Sequence, residues 1–177
     1  MIVHETPRLL LETWNLDDFD AFATIARDPD VMRFIAEGRP WPDARIGWFL
    51  GQQSAFQQTL GHCNWKLTDR ASGNLVGFCG LAPLPSIGET EIGWWLSPAH
   101  WRKGLAFEAA EHVVGAAFAQ HGLSRLVARA YRANARSIRL MERLGMRFDR
   151  LLDAGPMGEV VLYLIDREQP QERKPCR

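Results

Sequence analysis

The chain has 177 residues, 46% of them hydrophobic and 24% charged, which are ordinary values for a globular protein and argue against a disordered or membrane-embedded chain. Its 21 basic and 21 acidic side chains cancel, so no net charge favours nucleic acid or an anionic membrane, and we expect neither as a partner. Three scattered cysteines, the lack of a leader pattern and the lack of an apolar stretch of membrane-spanning length predict a location in the reducing cytoplasm.

A chain of this length supports one hydrophobic core, and we expect a single domain over residues 1–168. Residues 169–177 are polar and contain proline, so they are expected to form a flexible tail. In the first half, β-branched and apolar runs predict strands, whereas apolar residues at steps of three and four predict helices. In chain order these elements are strand Arg8–Trp14, helix Asp17–Arg27, helix Asp43–Thr59, and strands Asn64–Thr68, Leu75–Ala82 and Glu91–Leu96.

The second half continues with helix Gly104–Gly122, strand Arg125–Tyr131, helix Asn134–Leu144, and strands Phe148–Asp153 and Val160–Ile165. Short turns between the earlier strands predict antiparallel pairing. The helix between Glu91–Leu96 and Arg125–Tyr131 instead predicts that these two strands are parallel. The fold class is therefore α/β, with a mixed, mostly antiparallel sheet of about seven strands flanked by helices.

A basic turn leads into the long helix and combines features that suit an anion. The first helical turn leaves backbone N–H groups unpaired at the positive end of the helix dipole, so a phosphate finds several donors there. Gly104 allows the phosphate to approach the backbone closely, Ala106 adds little bulk, and Arg102 and Lys103 add positive charge. The alternative interpretation is an ordinary solvated turn.

This turn resembles the pyrophosphate-binding motif of the GNAT superfamily of N-acetyltransferases, in which Arg or Gln is followed, after two residues, by Gly, any residue, and Gly or Ala. Gly104 and Ala106 match the two small positions. Trp101 occupies the first position. An aromatic residue there departs from the general pattern but is similar to the branch that acetylates the N-termini of ribosomal proteins.

Three further segments resemble the same branch. Asn134-Ala-Arg-Ser137, followed by Met141-Glu-Arg-Leu-Gly-Met146, is similar to its Asn-x-x-Ser helix and Leu-Gly-Phe ending. The opening Glu5-Thr-Pro-Arg-Leu-Leu-Leu and the run Gly73-Asn-Leu-Val-Gly-Phe-Cys-Gly are similar to its first and third strands. The resemblance spans residues 5–168.

The resemblance implies that an amine attacks the thioester of acetyl-coenzyme A directly, without an acyl-enzyme. It also implies a sheet splayed between Glu91–Leu96 and Arg125–Tyr131, where pantetheine amides pair with the open strand edge near Trp94 and Leu96. The residues then expected to hold the coenzyme are Trp94, Leu96, Trp101, Arg102, Lys103, Gly104, Leu105, Ala106, Phe107, Asn134 and Ser137.

Two catalytic roles, a proton donor for the thiolate and a base for the amine, also have candidate residues. Many relatives have a tyrosine at the position of Met141 that protonates the departing thiolate, and because methionine has no proton to donate, Ser137 or a water is expected to do so. Glu91 is the first candidate for the base, with Glu89 and Glu159 as rivals. The alternative interpretations give these residues no functional role: Asn134 only caps a helix, Ser137 only packs, and each glutamate is solvated.

The acceptor is not specified by these motifs. A protein N-terminal α-amine, a polyamine and an aminoglycoside all fit, and a non-catalytic coenzyme A-binding module is the rival outside the enzyme class. Trp41, Trp48 and Trp65 are candidates for the wall of an acceptor pocket, with packing as the alternative. The five histidines lack metal-ligand spacing, so no metal is expected. We expect a monomer or a homodimer.

Overall fold

A computed structural model describes residues 1–155 and 158–167, so the predicted tail at 169–177 lies outside the described residues. Short 3-10 turns at Leu16–Asp18 and Pro98–His100 accompany the regular elements. In chain order these are β1 (Ile2–Glu5), β2 (Leu9–Glu12), α1 (Phe19–Ala26), α2 (Pro29–Met32), α3 (Asp43–Leu60), β3 (Asn64–Asp69), β4 (Leu75–Leu84), β5 (Glu89–Leu96), α4 (Leu105–Ala119), β6 (Arg125–Tyr131), α5 (Ala135–Arg143), β7 (Arg147–Gly155) and β8 (Gly158–Asp166).

The strands form one eight-stranded sheet in the order β1-β2-β3-β4-β5-β6-β8-β7. Neighbours are antiparallel except for β5 and β6, which are parallel and linked through α4. Within the described residues, β5 and β6 are in register at Glu91 and Val127 alone. Beyond Glu91 the two strands diverge, which leaves the last part of β5 without a partner on that side. The predicted mixed α/β fold, splayed at its parallel pair, is confirmed.

Helices cover both faces of the sheet. The apolar stripe predicted for α4 is buried against one face, where the helix packs on β4 and β5 through Leu105, Ala109 and Val113. Helices α1 and α3 cover the other face through an aromatic cluster in which Phe22 stacks on Phe49 with ring centroids 5.0 Å apart. Because alternate side chains of a strand point to opposite faces of the sheet, those of β5 contact both helical layers, and β5 lies between the two cores.

Strand β1, which is short and lies at the sheet edge beside β2, was not predicted from the sequence. The predicted first strand, Arg8–Trp14, is correspondingly shorter, and the sheet has eight strands rather than seven. Four residues carry too little periodicity to separate an edge strand from an extended terminus.

Helix boundaries also differ from the prediction in two places. Pro29, two residues after the predicted helix Asp17–Arg27, begins the additional helix α2, because the Asp28 carboxylate caps it by accepting from the N–H groups of Asp30 (2.8 Å) and Val31 (3.2 Å). Helix α4 ends at Ala119 rather than at Gly122, which adopts a left-handed φ of 65° in the turn that follows. Neither change moves the start of α4.

Candidate functional site

The β5–α4 turn (residues 97–104) is held in an unusual backbone conformation. Both Arg102 (φ 61°) and Gly104 (φ 77°) lie in the left-handed region, which is costly for arginine but not for glycine. The indole Nε1 of Trp101 donates to the carbonyl oxygen of Leu96 over 2.7 Å and ties the turn to the end of β5. The turn is thus tied to the end of β5 before α4 begins.

Six consecutive backbone N–H groups, those of residues 102–107, have no acceptor within the described part of the chain. The next N–H, that of Glu108, donates to the carbonyl of Gly104 (3.0 Å) and starts the helical ladder. Arg102, Lys103 and Gly104 are exposed. Neither Arg102 nor Lys103 has a carboxylate within 4.0 Å among the described residues. Donors and free cations therefore converge on one accessible site that suits a phosphate.

The open edge of β5 presents alternate backbone groups. The N–H of Ser97 donates to the carbonyl of Val76 on β4 (2.9 Å), so Leu96 and Trp94 direct their backbone groups to the opposite, splayed side. Because the Leu96 carbonyl already accepts from Trp101, the groups left at this edge are the Leu96 N–H and both groups of Trp94. An extended amide chain could continue the sheet there.

The start of α5 lies next to the β5–α4 turn. Asn134 caps this helix by accepting from the N–H of Ser137 (3.3 Å), whereas the Ser137 hydroxyl has no partner among the described residues. The guanidinium of Arg136 lies 4.7 Å from the ring centroid of Trp101. Asn134 and Ser137 are half-buried on the same helix start. Met141 is fully buried in the main core.

Each of the three candidate base carboxylates is paired with an arginine. The Glu91 carboxylate accepts hydrogen bonds from Nε (2.8 Å) and Nη2 (3.0 Å) of Arg129. Hydrogen bonding to Glu91 is the main reason why the pKa of Arg129 is raised. Glu89 lies 3.7 Å from Arg125, and Glu159 lies 2.7 Å from Arg132. The base role of Glu91 is neither supported nor contradicted by this pairing, and it stays a prediction.

Two polar residues that the sequence analysis missed lie on the same sheet face as Glu91. Arg129 and Tyr131 are alternate residues of β6, and the Tyr131 hydroxyl donates to the carbonyl of Ala36 over 2.7 Å. Ala36 has a left-handed φ of 48°, in the loop between α2 and α3. Strand alternation could have placed Arg129 with Tyr131, but no local signal links them to a loop some 95 residues away.

The tryptophans divide between core and surface. Trp94 packs against the core beside α4, and Trp95 faces the aromatic cluster, with its ring centroid 4.8 Å from that of the buried Trp41. Trp65 is fully buried and its indole donates to Gln57 (2.8 Å). Trp48 is 63% exposed on α3. Packing thus accounts for Trp41 and Trp65.

Neither described cysteine is suited to act as a nucleophile. Burial raises the pKa of Cys63 to about 12, and burial also raises the pKa of Cys79. A thiol with a pKa this high is protonated at neutral pH and a poor nucleophile.

Within residues 1–155 and 158–167, no helix has the length and apolar character of a membrane span. No group of three or more His, Cys, Asp or Glu side chains is arranged there to bind a metal ion.

Comparisons with known proteins agree with this geometry. Residues 8–147 match the acetyltransferase (GNAT) domain family. The FsC-acetyl coenzyme A-N(2)-transacetylase of Aspergillus fumigatus is 30% identical over 158 residues, which cover 80% of this chain and 66% of that protein. A crystal structure of an acetyltransferase from Agrobacterium tumefaciens superposes with a TM-score of 0.82 at 26% identity, covering 94% of this chain and 95% of that one.

A further structural neighbour is RimL, a ribosomal L7/L12 α-N-protein acetyltransferase in complex with coenzyme A. Its TM-score is 0.80 at 12% identity, with 94% of this chain and 98% of that chain covered, so it supports the fold alone. The family match covers most of the sequence and includes the β5–α4 turn. The chain therefore belongs to the GNAT family of acetyltransferases.

Proposed function

We propose that this protein transfers the acetyl group of acetyl-coenzyme A to an amine, with a protein N-terminal α-amine as the favoured acceptor. The observation that carries the proposal is the run of six N–H groups at residues 102–107, beside the cations Arg102 and Lys103, none of which has a partner among the residues that the structure describes. A pyrophosphate is the coenzyme group that such a cluster of donors fits best. Trp101, Leu105, Ala106 and Phe107 shape the backbone around it.

The remaining coenzyme contacts follow the splayed strand. In this proposal the pantetheine amides pair with the open backbone groups of Trp94 and Leu96, and the Asn134 side chain faces the same cleft. The thioester then lies near the start of α5. As the amine attacks the acetyl carbon and the carbon–sulfur bond breaks, the Ser137 hydroxyl is proposed to pass its proton to the departing thiolate sulfur and to regain one from the attacking nitrogen, which loses a proton to become the amide.

The preference for an α-amine rests on protonation. Attack requires a neutral amine, and an α-amine with a pKa near 8 is about one tenth neutral at pH 7, whereas a lysine near 10.4 is neutral in roughly one molecule in 2,500. The glutamates that could serve as bases are all paired with arginines. An acceptor amine that is already partly neutral at pH 7 depends least on a general base in the site. The RimL neighbour, named as an α-N-protein acetyltransferase, is consistent with this choice.

The test measures thiol release from acetyl-coenzyme A with two peptides of one sequence. In one peptide only the N-terminal amine is free, and in the other only an internal lysine is free. We expect faster turnover of the α-amine at pH 7, and a smaller difference at pH 9 because more of the lysine is then neutral. Preference for the lysine at pH 7 would overturn the acceptor assignment.

Small-molecule amines and a no-acceptor sample complete the experiment. Turnover of a polyamine or an aminoglycoside, but of neither peptide, would reassign the acceptor to a metabolite or antibiotic. Binding of coenzyme A without turnover of any amine would indicate a non-catalytic binding module.

A further inference from the structure

A half-buried carboxylate lies in the first turn of α4, close to the site proposed for the pyrophosphate. Glu108 is the fourth residue of that helix, and its side chain is 15% exposed. A negative charge at this position repels a phosphate bound to the N–H groups of the same helical turn. The protein must therefore offset the charge of Glu108 if the turn is to bind an anion well.

The turn between β1 and β2 supplies that offset. Oε1 of Glu108 accepts from the Thr6 hydroxyl (2.6 Å) and from the backbone N–H of Arg8 (2.9 Å). Oε2 accepts from Nε of Arg8 at 2.6 Å and lies 2.6 Å from its Nη2. Burial alone would raise the pKa of Glu108, but the hydrogen bonds from Thr6 and Arg8 and the Arg8 charge lower it. Glu108 is thus ionised and compensated by one arginine.

Arg8 also contacts the β5–α4 turn itself. Its Nη1 donates to the carbonyl oxygen of Lys103 over 2.9 Å. In a planar trans peptide the carbonyl and the following N–H point in opposite directions, so this bond directs the Gly104 N–H away from Arg8. A Cβ added at Gly104 would lie 3.6 Å from Nη2 of Arg8, which shows how closely the guanidinium approaches the turn.

We propose that Arg8 is a positioning residue for coenzyme A, which it serves by orienting the Gly104 N–H and by offsetting the charge of Glu108. This inference rests on the proposed function, because it takes the β5–α4 turn to be the pyrophosphate site. Arg8 acts through Lys103, Gly104 and Glu108 rather than by touching the pyrophosphate.

The chain offers a matched control on the same turn. Arg70 donates through Nη1 to the carbonyl of Thr6 (2.8 Å), and its side chain is exposed to a similar degree, at 45% against 49% for Arg8. Arg70 contacts neither Lys103 nor Glu108 in the described hydrogen bonds and ion pairs. Arg70→Ala therefore weakens the anchoring of the β1–β2 turn without changing the orientation of Gly104 or the charge of Glu108.

The experiment measures the Kd of coenzyme A by calorimetry, well below the melting temperature of every variant. We expect Arg8→Ala to raise the Kd about tenfold, the loss typical of a charge-assisted hydrogen bond, and Arg70→Ala to change it less than twofold. The double variant Arg8→Ala/Glu108→Gln should recover part of the loss, because the uncompensated carboxylate is gone. In steady-state kinetics, Arg8→Ala should raise the KM for acetyl-coenzyme A while kcat stays near the wild-type value.

Dephospho-coenzyme A, which lacks the 3′-phosphate, separates positioning from direct contact. A similar loss for both ligands on Arg8→Ala supports the inference, whereas a loss confined to coenzyme A would assign Arg8 to the 3′-phosphate and overturn it. An unchanged Kd in folded Arg8→Ala, or equal losses in Arg8→Ala and Arg70→Ala, would also overturn it. Failure of the wild-type protein to bind coenzyme A would instead refute the proposed function.

Discussion

The indole of Trp101 donates a hydrogen bond of 2.7 Å to the carbonyl of Leu96 and so closes the β5–α4 turn onto the strand that precedes it. In the proposed complex this bond leaves the Leu96 N–H and the backbone of Trp94 available to pantetheine. We expect Trp101→Phe, which keeps an aromatic ring beside Arg136, to raise the Kd of coenzyme A about fivefold, since a hydrogen bond contributes about 1 kcal/mol.

Trp14→Phe is the control for this variant. The Trp14 indole also donates to a backbone carbonyl, that of Asn64, at 2.5 Å and outside the β5–α4 turn. Both variants lose one indole hydrogen bond, so both should be less stable in thermal melts, but only Trp101→Phe should bind coenzyme A more weakly. Equal affinities in the two variants would show that the Trp101–Leu96 bond only supports folding.

A second prediction concerns the two ends of α4. Gly104→Glu places a side chain and a negative charge among the N–H groups of residues 102–107, and we expect it to raise the Kd of coenzyme A more than a hundredfold. Gly122→Glu adds the same side chain at a second left-handed glycine, with φ 65° against 77°. Each substitution costs about 1–2 kcal/mol in unfolding free energy, so the two proteins are matched in strain.

Calorimetry with coenzyme A and chemical unfolding check this pair. A Gly104→Glu protein that folds and binds with wild-type affinity would remove the β5–α4 turn from the coenzyme site. Loss of binding in Gly122→Glu as well would mean that strain in either turn flanking α4, and not the added charge at the phosphate site, is responsible.

The sequence predicted the local elements of this site better than the contacts between them. The glycine turn, the start of α4 and the cap at Asn134 depend on residues within a few positions of one another, so turn and capping preferences locate them. The Arg8–Glu108 pair joins residues 100 positions apart. Helical and strand periodicity says which face a residue occupies, but not which distant side chain lies opposite it.

The pairing of Glu91 shows the same limit. The strand pattern places Glu91 on β5, and the resemblance implies that the sheet is splayed beside this strand; together these made Glu91 a candidate base. That both carboxylate oxygens accept from Arg129 depends on the register of β5 against β6, which the sequence does not specify.

A third prediction uses the strain at Arg102, the non-glycine residue with φ 61° in the β5–α4 turn. Arg102→Gly and Arg102→Ala both remove the charge, but only glycine relieves the left-handed strain. We expect the glycine variant to be more stable than the alanine variant by about 1 kcal/mol in urea unfolding. The two variants should bind coenzyme A equally, and more weakly than wild type. An alanine variant as stable as the glycine variant would contradict the strain argument.

A fourth prediction tests the hydroxyl of Ser137. Because a proton donor to the leaving thiolate acts mainly in the transition state, Ser137→Ala should lower kcat at least tenfold while the KM for acetyl-coenzyme A changes little. Ser137→Thr keeps a hydroxyl at the same helical position and should retain most of the activity. Equal turnover in the alanine variant would reduce Ser137 to a packing residue.

The last prediction concerns a group of imidazoles outside the β5–α4 turn, the histidine cluster (His4, His62, His112 and His121). Ring centroids are 5.1 Å apart for His4 and His112 and 5.3 Å apart for His62 and His121. Each ring has one buried nitrogen without a hydrogen-bond partner in residues 1–155 and 158–167. No carboxylate lies within 4.0 Å of these imidazoles among the described residues.

Protonation of the histidine cluster should destabilise the fold. Burial lowers the pKa values of His4, His62 and His121, and neighbouring imidazoles lower those of His4 and His62 further. The unfolded chain, with histidine pKa values near 6.5, therefore binds more protons than the folded chain just below that pH. The unfolding free energy should be constant above about pH 7 and fall as the pH drops through 6.5, by at most about 1.4 kcal/mol per pH unit for each of these histidines.

His4→Phe, which preserves a ring beside Trp65, should make this decline shallower in urea unfolding between pH 5 and pH 7. An unchanged slope in His4→Phe, or stability that rises on acidification, would contradict the assignment.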